Sequence, residues 1–146
     1  QRRVDATATE VFNAATASSD TASDHLVLAW SGAYGRNPHP ASAWHHSIKA
    51  LEASLQKIVC PSTETATLPF IIDQLKTGQW NLQLRGQARD HAIDPLIKML
   101  ELVWPDPNRH GTHAHESPAT REEAGAVVLL AVTIVQWARN GQIIKR

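Results

Sequence analysis

The chain has 146 residues, and its 14 lysines and arginines are cancelled by 14 aspartates and glutamates. That length suits one domain with a single sizeable core, and 42% apolar with 19% charged residues excludes both a disordered and a membrane composition. Neutrality excludes a general electrostatic pull on nucleic acid, so any RNA contact must come from a local patch.

No apolar run approaches the roughly 18 residues that a membrane span needs, so no membrane partner is expected. Cys60 is the only cysteine, which rules out an internal disulfide, fits a reducing compartment and predicts a cytoplasmic protein. Gln1, Arg2 and Arg3 open a polar stretch rather than an apolar signal core, so residues 1–146 are expected to be one domain excised from a longer chain. An N-terminal effector or sensor domain is the expected companion. The 8 histidines allow the surface charge to rise below about pH 6.5.

Residues 1–24 are weakly apolar. Val4, Ala8, Val11, Phe12 and Ala15 fall at helical spacing and predict a first helix near 4–18, followed by the polar turn "SSDTASD". Asp24 is placed to cap a second helix carrying Leu26, Leu28, Ala29, Trp30 and Tyr34, which Gly35 ends. "GRNPHP" cannot continue it, because each proline biases its predecessor away from the α region. The third helix has Trp44, Ile48, Leu51, Leu55 and Ile58 on one stripe, with Pro40 or Ala41 in its first turn and Pro61 beyond its end. "TLPFIIDQLKTG" predicts a short fourth helix ending at Gly78.

In "QWNLQLRGQ" the alternation of Trp80, Leu82 and Leu84 predicts an extended connector or a short strand. A helix near 88–104 gathers Ile93, Leu96, Ile97, Leu100 and Val103, and Pro95 moves its start toward Asp94. The last helix runs from Ala119 to about Asn140, with a capping box at Thr120 and Glu123 and Gly141 past its end. Five to six helices with short connections predict an all-α antiparallel bundle, and no internal repeat is visible.

The loop "PDPNRHGTHAHESP" between the last two helices holds the candidate chemistry. Cleaving RNA without a metal needs a base for the 2′-hydroxyl, an acid for the leaving oxygen and a cation on the phosphate. Histidine suits the first two roles and arginine the third. Arg109, His110, His113 and His115 supply both types within seven residues, Gly111 lets backbone approach a ligand closely, and the following helix start favours an anion. Solvated loop residues with no chemistry are the plain alternative. His110, His113 and His115 also have a spacing that can supply three zinc ligands, although only Glu116 is near to complete a set. No resident metal and no cofactor is expected.

Several segments carry a family likeness. "HPASAWHHSIKALEASLQKIV", "ATLPFIIDQL" and "LELVWPDPNRHGTHAH" followed by "EEAGAVVLLAVTIVQWARNG" resemble the C-terminal domain of abortive-infection proteins over roughly residues 36–141. Uncharacterised actinobacterial proteins with "RHG" before such a helix are more similar still. The likeness implies a HEPN-class domain: all-α, commonly dimeric, associated with antiviral defence and in many members a metal-independent ribonuclease. Its signature, an arginine, a polar residue, then a histidine after four to six intervening residues, falls on Arg109, His110 and His115.

By that likeness Arg109 would hold the scissile phosphate, His115 would be general base or acid, and His110 would assist. Arg36, Asn108, Gly111 and His113 are the expected substrate-binding residues. RNA and a second copy of the chain are the implied partners. The competing expectation is a non-catalytic dimerisation or protein-interaction module.

Elsewhere, Glu52 either faces solvent or orients Arg109 as a buried partner. His45 and His46 are adjacent on a helix, so one flanks the Trp44 stripe and the other is exposed. Trp30, Trp44, Trp80, Trp104 and Trp137 fit core packing better than a base-stacking platform, with Trp104, directly before the loop, the exception. Cys60 reads as a structural thiol.

Overall fold

The structure, a computed structural model, describes residues 4–84, 90–108 and 118–146, with the side chains of Asp90 and His91 left aside. In chain order the elements are α1 (Ala6–Ala15), α2 (Thr21–Tyr34), α3 (Pro40–Val59), α4 (Leu68–Thr77), β1 (Trp80–Gln83), β2 (Asp90–Ala92), α5 (Asp94–Val103), α6 (Arg121–Arg139) and β3 (Ile143–Lys145). The chain is mostly helical, as the apolar periodicity predicts.

Most helix starts have a local cause. Asp5 caps α1 by accepting from Ala8 N–H at 2.9 Å. Asp20, not Asp24, caps α2: its Oδ1 accepts from Ser23 N–H at 2.8 Å, and Asp24 stands in the first turn. Arg139 decides between the two aspartates, because its Nη2 donates to both Asp20 oxygens at 2.8 and 3.1 Å. Pro40 is the first residue of α3, where no N–H is missed, and His39 Nδ1 accepts from Ser42 N–H at 3.1 Å. α5 begins at Asp94 with Pro95 in its first turn, as the proline requires. Thr120 and Glu123 form the capping box of α6 at 3.2 and 2.8 Å. Gly141, at φ +71°, takes the left-handed conformation that lets the chain leave α6 and turn into β3.

α3 is the hub. It packs most extensively on α2 and α6, and it also touches α4. Trp44, Ile48, Leu51 and Leu55 are buried on its stripe, while Val59 rather than Ile58 completes it. Close approach to α2 depends on small residues at the crossing. A Cβ added to Gly32 would stand 3.0 Å from both the Ala43 nitrogen and the His39 carbonyl oxygen. Leu26, Leu51, Leu55, Leu68, Leu75, Leu96 and Leu100 are fully buried in one continuous cluster. Each contributes about 1.5–3 kcal/mol relative to exposure. Trp44 and Trp80 are buried, and Trp30, Trp104 and Trp137 pack partly buried against the same core.

A small antiparallel sheet of order β2-β1-β3 departs from a purely helical fold. The Trp80/Leu82 alternation is that of its central strand, and both side chains are buried. Its partners β2 and β3 are three residues each, too short to show a period of two. Among the described residues, no helix is long and apolar enough to cross a membrane.

Candidate functional site

The segment leaving α5 is held at Val103, Trp104, Asp106 and Asn108. Trp104 N–H closes the helix on the Leu100 carbonyl at 3.0 Å, and the buried Trp44 indole N–H donates to the Val103 carbonyl at 3.0 Å. The Trp104–Pro105 peptide is cis. Asp106 Oδ1 accepts from both Asn108 N–H (2.8 Å) and Asn108 Nδ2 (2.9 Å), an aspartate turn that fixes the chain two residues on. Asn108 Oδ1 in turn accepts from Ala119 N–H at 3.1 Å. One asparagine thus ties together the two ends of the Arg/His loop, immediately before α6 begins.

Beside this stem lies a cleft of about 340 Å³ lined by His45, Ile48, Lys49, Glu52, Thr67, Trp104 and Asp106. The α3 contributors fall at i, i+3, i+4 and i+7, which a helix places on one face. His45 is exposed at the rim. Glu52 is nearly buried, with a side chain 12% exposed, and is doubly engaged. Its Oε2 accepts from Leu68 N–H at 2.7 Å, and its Oε1 pairs with Lys49 Nζ at 3.3 Å. Thr67, the N-cap of α4, makes no side-chain cap bond, so Glu52 supplies the acceptor from a neighbouring helix. Asp106 is only 7% exposed although it carries a carboxylate. A second cavity, of about 430 Å³, lies between α5 and the sheet, and a third, of about 170 Å³, sits by Asp20 and Arg139. Of these three, the first is lined by stem residues and gathers imidazole, ammonium and carboxylate groups among the described residues.

Of the residues expected to do chemistry, Asn108 is placed at the loop's base, half-buried and fully engaged. Arg36 is exposed in the turn between α2 and α3, and it does not line the cleft. Arg109, His110, Gly111, His113 and His115 lie outside the described residues, as does the spacing read as a zinc set. Among the described residues, no group of three or more histidine, cysteine, aspartate or glutamate side chains is placed to hold a metal ion. Glu52 shows neither of its two expected behaviours cleanly, since its described partners are the α4 start and Lys49.

Sequence reasoning passed over Lys49, Thr67 and Asp106. The first had a signal in its helical spacing from His45 and Glu52. Asp106 had none beyond its turn-forming type, because its burial comes from distant packing. Arg121, the first residue of α6, was also missed. Its Nε and Nη2 are buried and find no hydrogen-bond partner among the described residues, and the positive end of the helix dipole disfavours a cation there.

His46 is the half-buried member of the adjacent histidine pair. Its Nδ1 lies 3.0 Å from Nδ1 of His25 on α2, so one ring donates and the other accepts. Burial lowers the pKa of both, and the neighbouring His45 lowers them further. Cys60, at the C-cap of α3, is buried, and burial pushes its thiol up, as suits a structural role. No family model, curated protein or solved structure matches this chain.

Proposed function

We propose that this is a HEPN-like, defence-associated domain acting on RNA as a metal-independent endoribonuclease, with its site in the Arg/His loop whose described stem residues border the α3 cleft. The observation that carries the reading is the Asn108–Ala119 bond, which closes the loop's stem at the cleft that holds His45, Lys49 and Asp106. The bond joins Asn108 and Ala119, described residues on either side of the candidate groups in the sequence, and a multi-group reaction needs its groups gathered. Arg121, whose Nε and Nη2 find no partner among the described residues, stands beside the far end of the stem as a second cation.

The chemistry is an in-line transesterification. A histidine takes the 2′-hydroxyl proton, the 2′-oxygen bonds to phosphorus, and the bond from phosphorus to the 5′-oxygen breaks as that oxygen receives a proton. Arg109 holds the phosphate, His115 serves as general base or acid, His110 assists by polar contact, and Arg36, Asn108, Gly111 and His113 border the strand. A two-fold dimer in a cytoplasmic setting doubles the cationic surface that faces the strand. Incubation of the chain with RNA in EDTA is expected to leave 2′,3′-cyclic phosphate ends, and Arg109→Ala or His115→Ala to abolish cleavage while leaving the circular dichroism spectrum unchanged. Uncut RNA, or two active variants, ends the ribonuclease reading.

Exposed apolar side chains favour one alternative. Val27 and Leu28 on α2 are about half exposed and Leu102 on α5 is 72% exposed, as a non-catalytic dimerisation or protein-interaction module would require. That module predicts self-association that survives both loop substitutions and falls when Val27 and Leu28 become serine.

A further inference from the structure

We infer that the α3 cleft is a base-reading pocket that takes a nucleotide whose base carries an exocyclic amino group, with the Asp106 carboxylate as the reading acceptor. The inference rests on the RNA reading only for the ligand being a nucleotide; it asks nothing of Arg109 or the loop histidines.

The starting point is an imbalance at Asp106. A carboxylate that is 7% exposed must be compensated, because burying a charge without partners is costly. Its Oδ1 is spent on Asn108 N–H and Nδ2. Its Oδ2 has no hydrogen bond among the described residues, and the residue lines the cleft. A cleft wall that is largely buried therefore carries a carboxylate oxygen without a partner among the described residues. The cleft's lysine, Lys49, has its Nζ 3.3 Å from Glu52 Oε1 and a side chain 45% exposed, so it reaches toward solvent. His45 is exposed beside it on the same helix face.

The polarity of the cleft then defines its ligand. Its most buried polar group, Asp106, asks for a hydrogen-bond donor, the more exposed Lys49 offers an ammonium to an anion, and Ile48 and Trp104 supply apolar and aromatic wall. The volume of about 340 Å³ lies at the small end of ligand sites, which suits one flat ring with its sugar and not a folded chain. A nucleotide with its base toward Asp106 and its phosphate toward Lys49 matches those groups. Cytosine, adenine and guanine each present an amino donor. Uracil instead brings carbonyl oxygens to either side of its single ring N–H, and these would face the carboxylate and repel it. The wall accordingly selects amino-bearing bases over uracil.

Asp106→Asn gives the decisive variant. The amide oxygen still accepts from Asn108, so the turn is kept, while an NH2 donor replaces Oδ2. The preference should then invert toward uracil, which a purely structural role for Asp106 cannot produce. The experiment is a nuclear magnetic resonance titration of the 146-residue chain with CMP, AMP, GMP and UMP. It follows the indole N–H signal of Trp104, assigned by its loss in Trp104→Phe.

Saturable shifts are expected, with UMP weaker than CMP by about ten-fold or more, the size of one hydrogen bond to a charged group. Lys49→Gln should weaken all four nucleotides without changing their order. The inference is overturned if the Trp104 signal does not move, if UMP binds as well as CMP, or if Asp106→Asn leaves the order unchanged. RNA cleavage that persists despite such a result would leave the ribonuclease reading standing. CMP binding without cleavage would leave the pocket standing alone.

Discussion

Asn108 makes three bonds, two of which no apolar residue can replace. Its backbone and side-chain nitrogens donate to Asp106, and its Oδ1 accepts from Ala119 N–H eleven positions along the chain. The half-buried setting raises the cost of losing them, since Ala119 N–H would keep its place and lose its acceptor. Asn108→Ala is expected to cost about 1–2 kcal/mol, which for a chain of this size lowers the melting temperature by about 3–8 °C. Asn108→Asp should keep the bond to Ala119 but set a second carboxylate against Asp106, and so fall at least as far at neutral pH. Calorimetric scans of both variants check this, and an unchanged melting temperature in Asn108→Ala would show that the stem is not held there. The acceptor role was hidden in the sequence: "DPN" announces a turn, but nothing in it says which distant N–H the asparagine will meet.

At the scale of elements, α4 borrows its cap. Thr67 stands at the N-cap position without bonding its own helix, and Glu52 reaches across from α3 to accept from Leu68 N–H. Glu52→Ala should therefore destabilise α4 by about 0.5–2 kcal/mol, the range of a lost cap, with Glu52→Gln recovering part of it through its carbonyl oxygen. Hydrogen exchange in residues 68–77 reads this directly. Faster exchange confined to α4 is the expected result, and unaltered exchange would remove the borrowed cap.

The same distinction separates what was legible in the sequence from what was not. Helices α3, α5 and α6 were legible because apolar spacing, proline placement and a capping box are local signals. The start of α2 was not, because the contest between Asp20 and Asp24 is settled by Arg139, more than a hundred residues away. Strands β2 and β3 were not either, since three residues cannot display a period and their pairing with β1 is non-local. The cleft was half legible: His45 and Glu52 stand out on α3, whereas Asp106 joins them only when the chain folds back.

For the whole molecule, the α2–α3 seam is the most extensive helix contact, and a histidine pair spans it. The ring centroids lie 5.2 Å apart while the two Nδ1 atoms are 3.0 Å apart. The difference is about one ring diameter, so both nitrogens sit on the line between the rings and meet head-on, edge to edge. That geometry holds a single proton well. It cannot hold two, because protonating both rings would put two N–H groups face to face, with His45 and Lys49 adding positive charge and, among the described residues, Asp24 and Glu52 opposing it.

Both pKa values are held below the ordinary histidine value, by burial first, so the folded state favours the neutral pair. Stability from this source is complete above that value and is lost as pH falls through the lowered values of the folded protein. Urea midpoints are therefore expected to drop between about pH 7 and pH 5. His25→Asn, which keeps hydrogen-bonding capacity but cannot titrate, should flatten that slope even if it lowers the neutral-pH midpoint. Because α3 also carries α6 and α4, loosening at this seam should unfold the chain cooperatively. Fluorescence and circular dichroism should then report one midpoint at each pH. A slope as steep in His25→Asn as in the parent would place the acid sensitivity elsewhere.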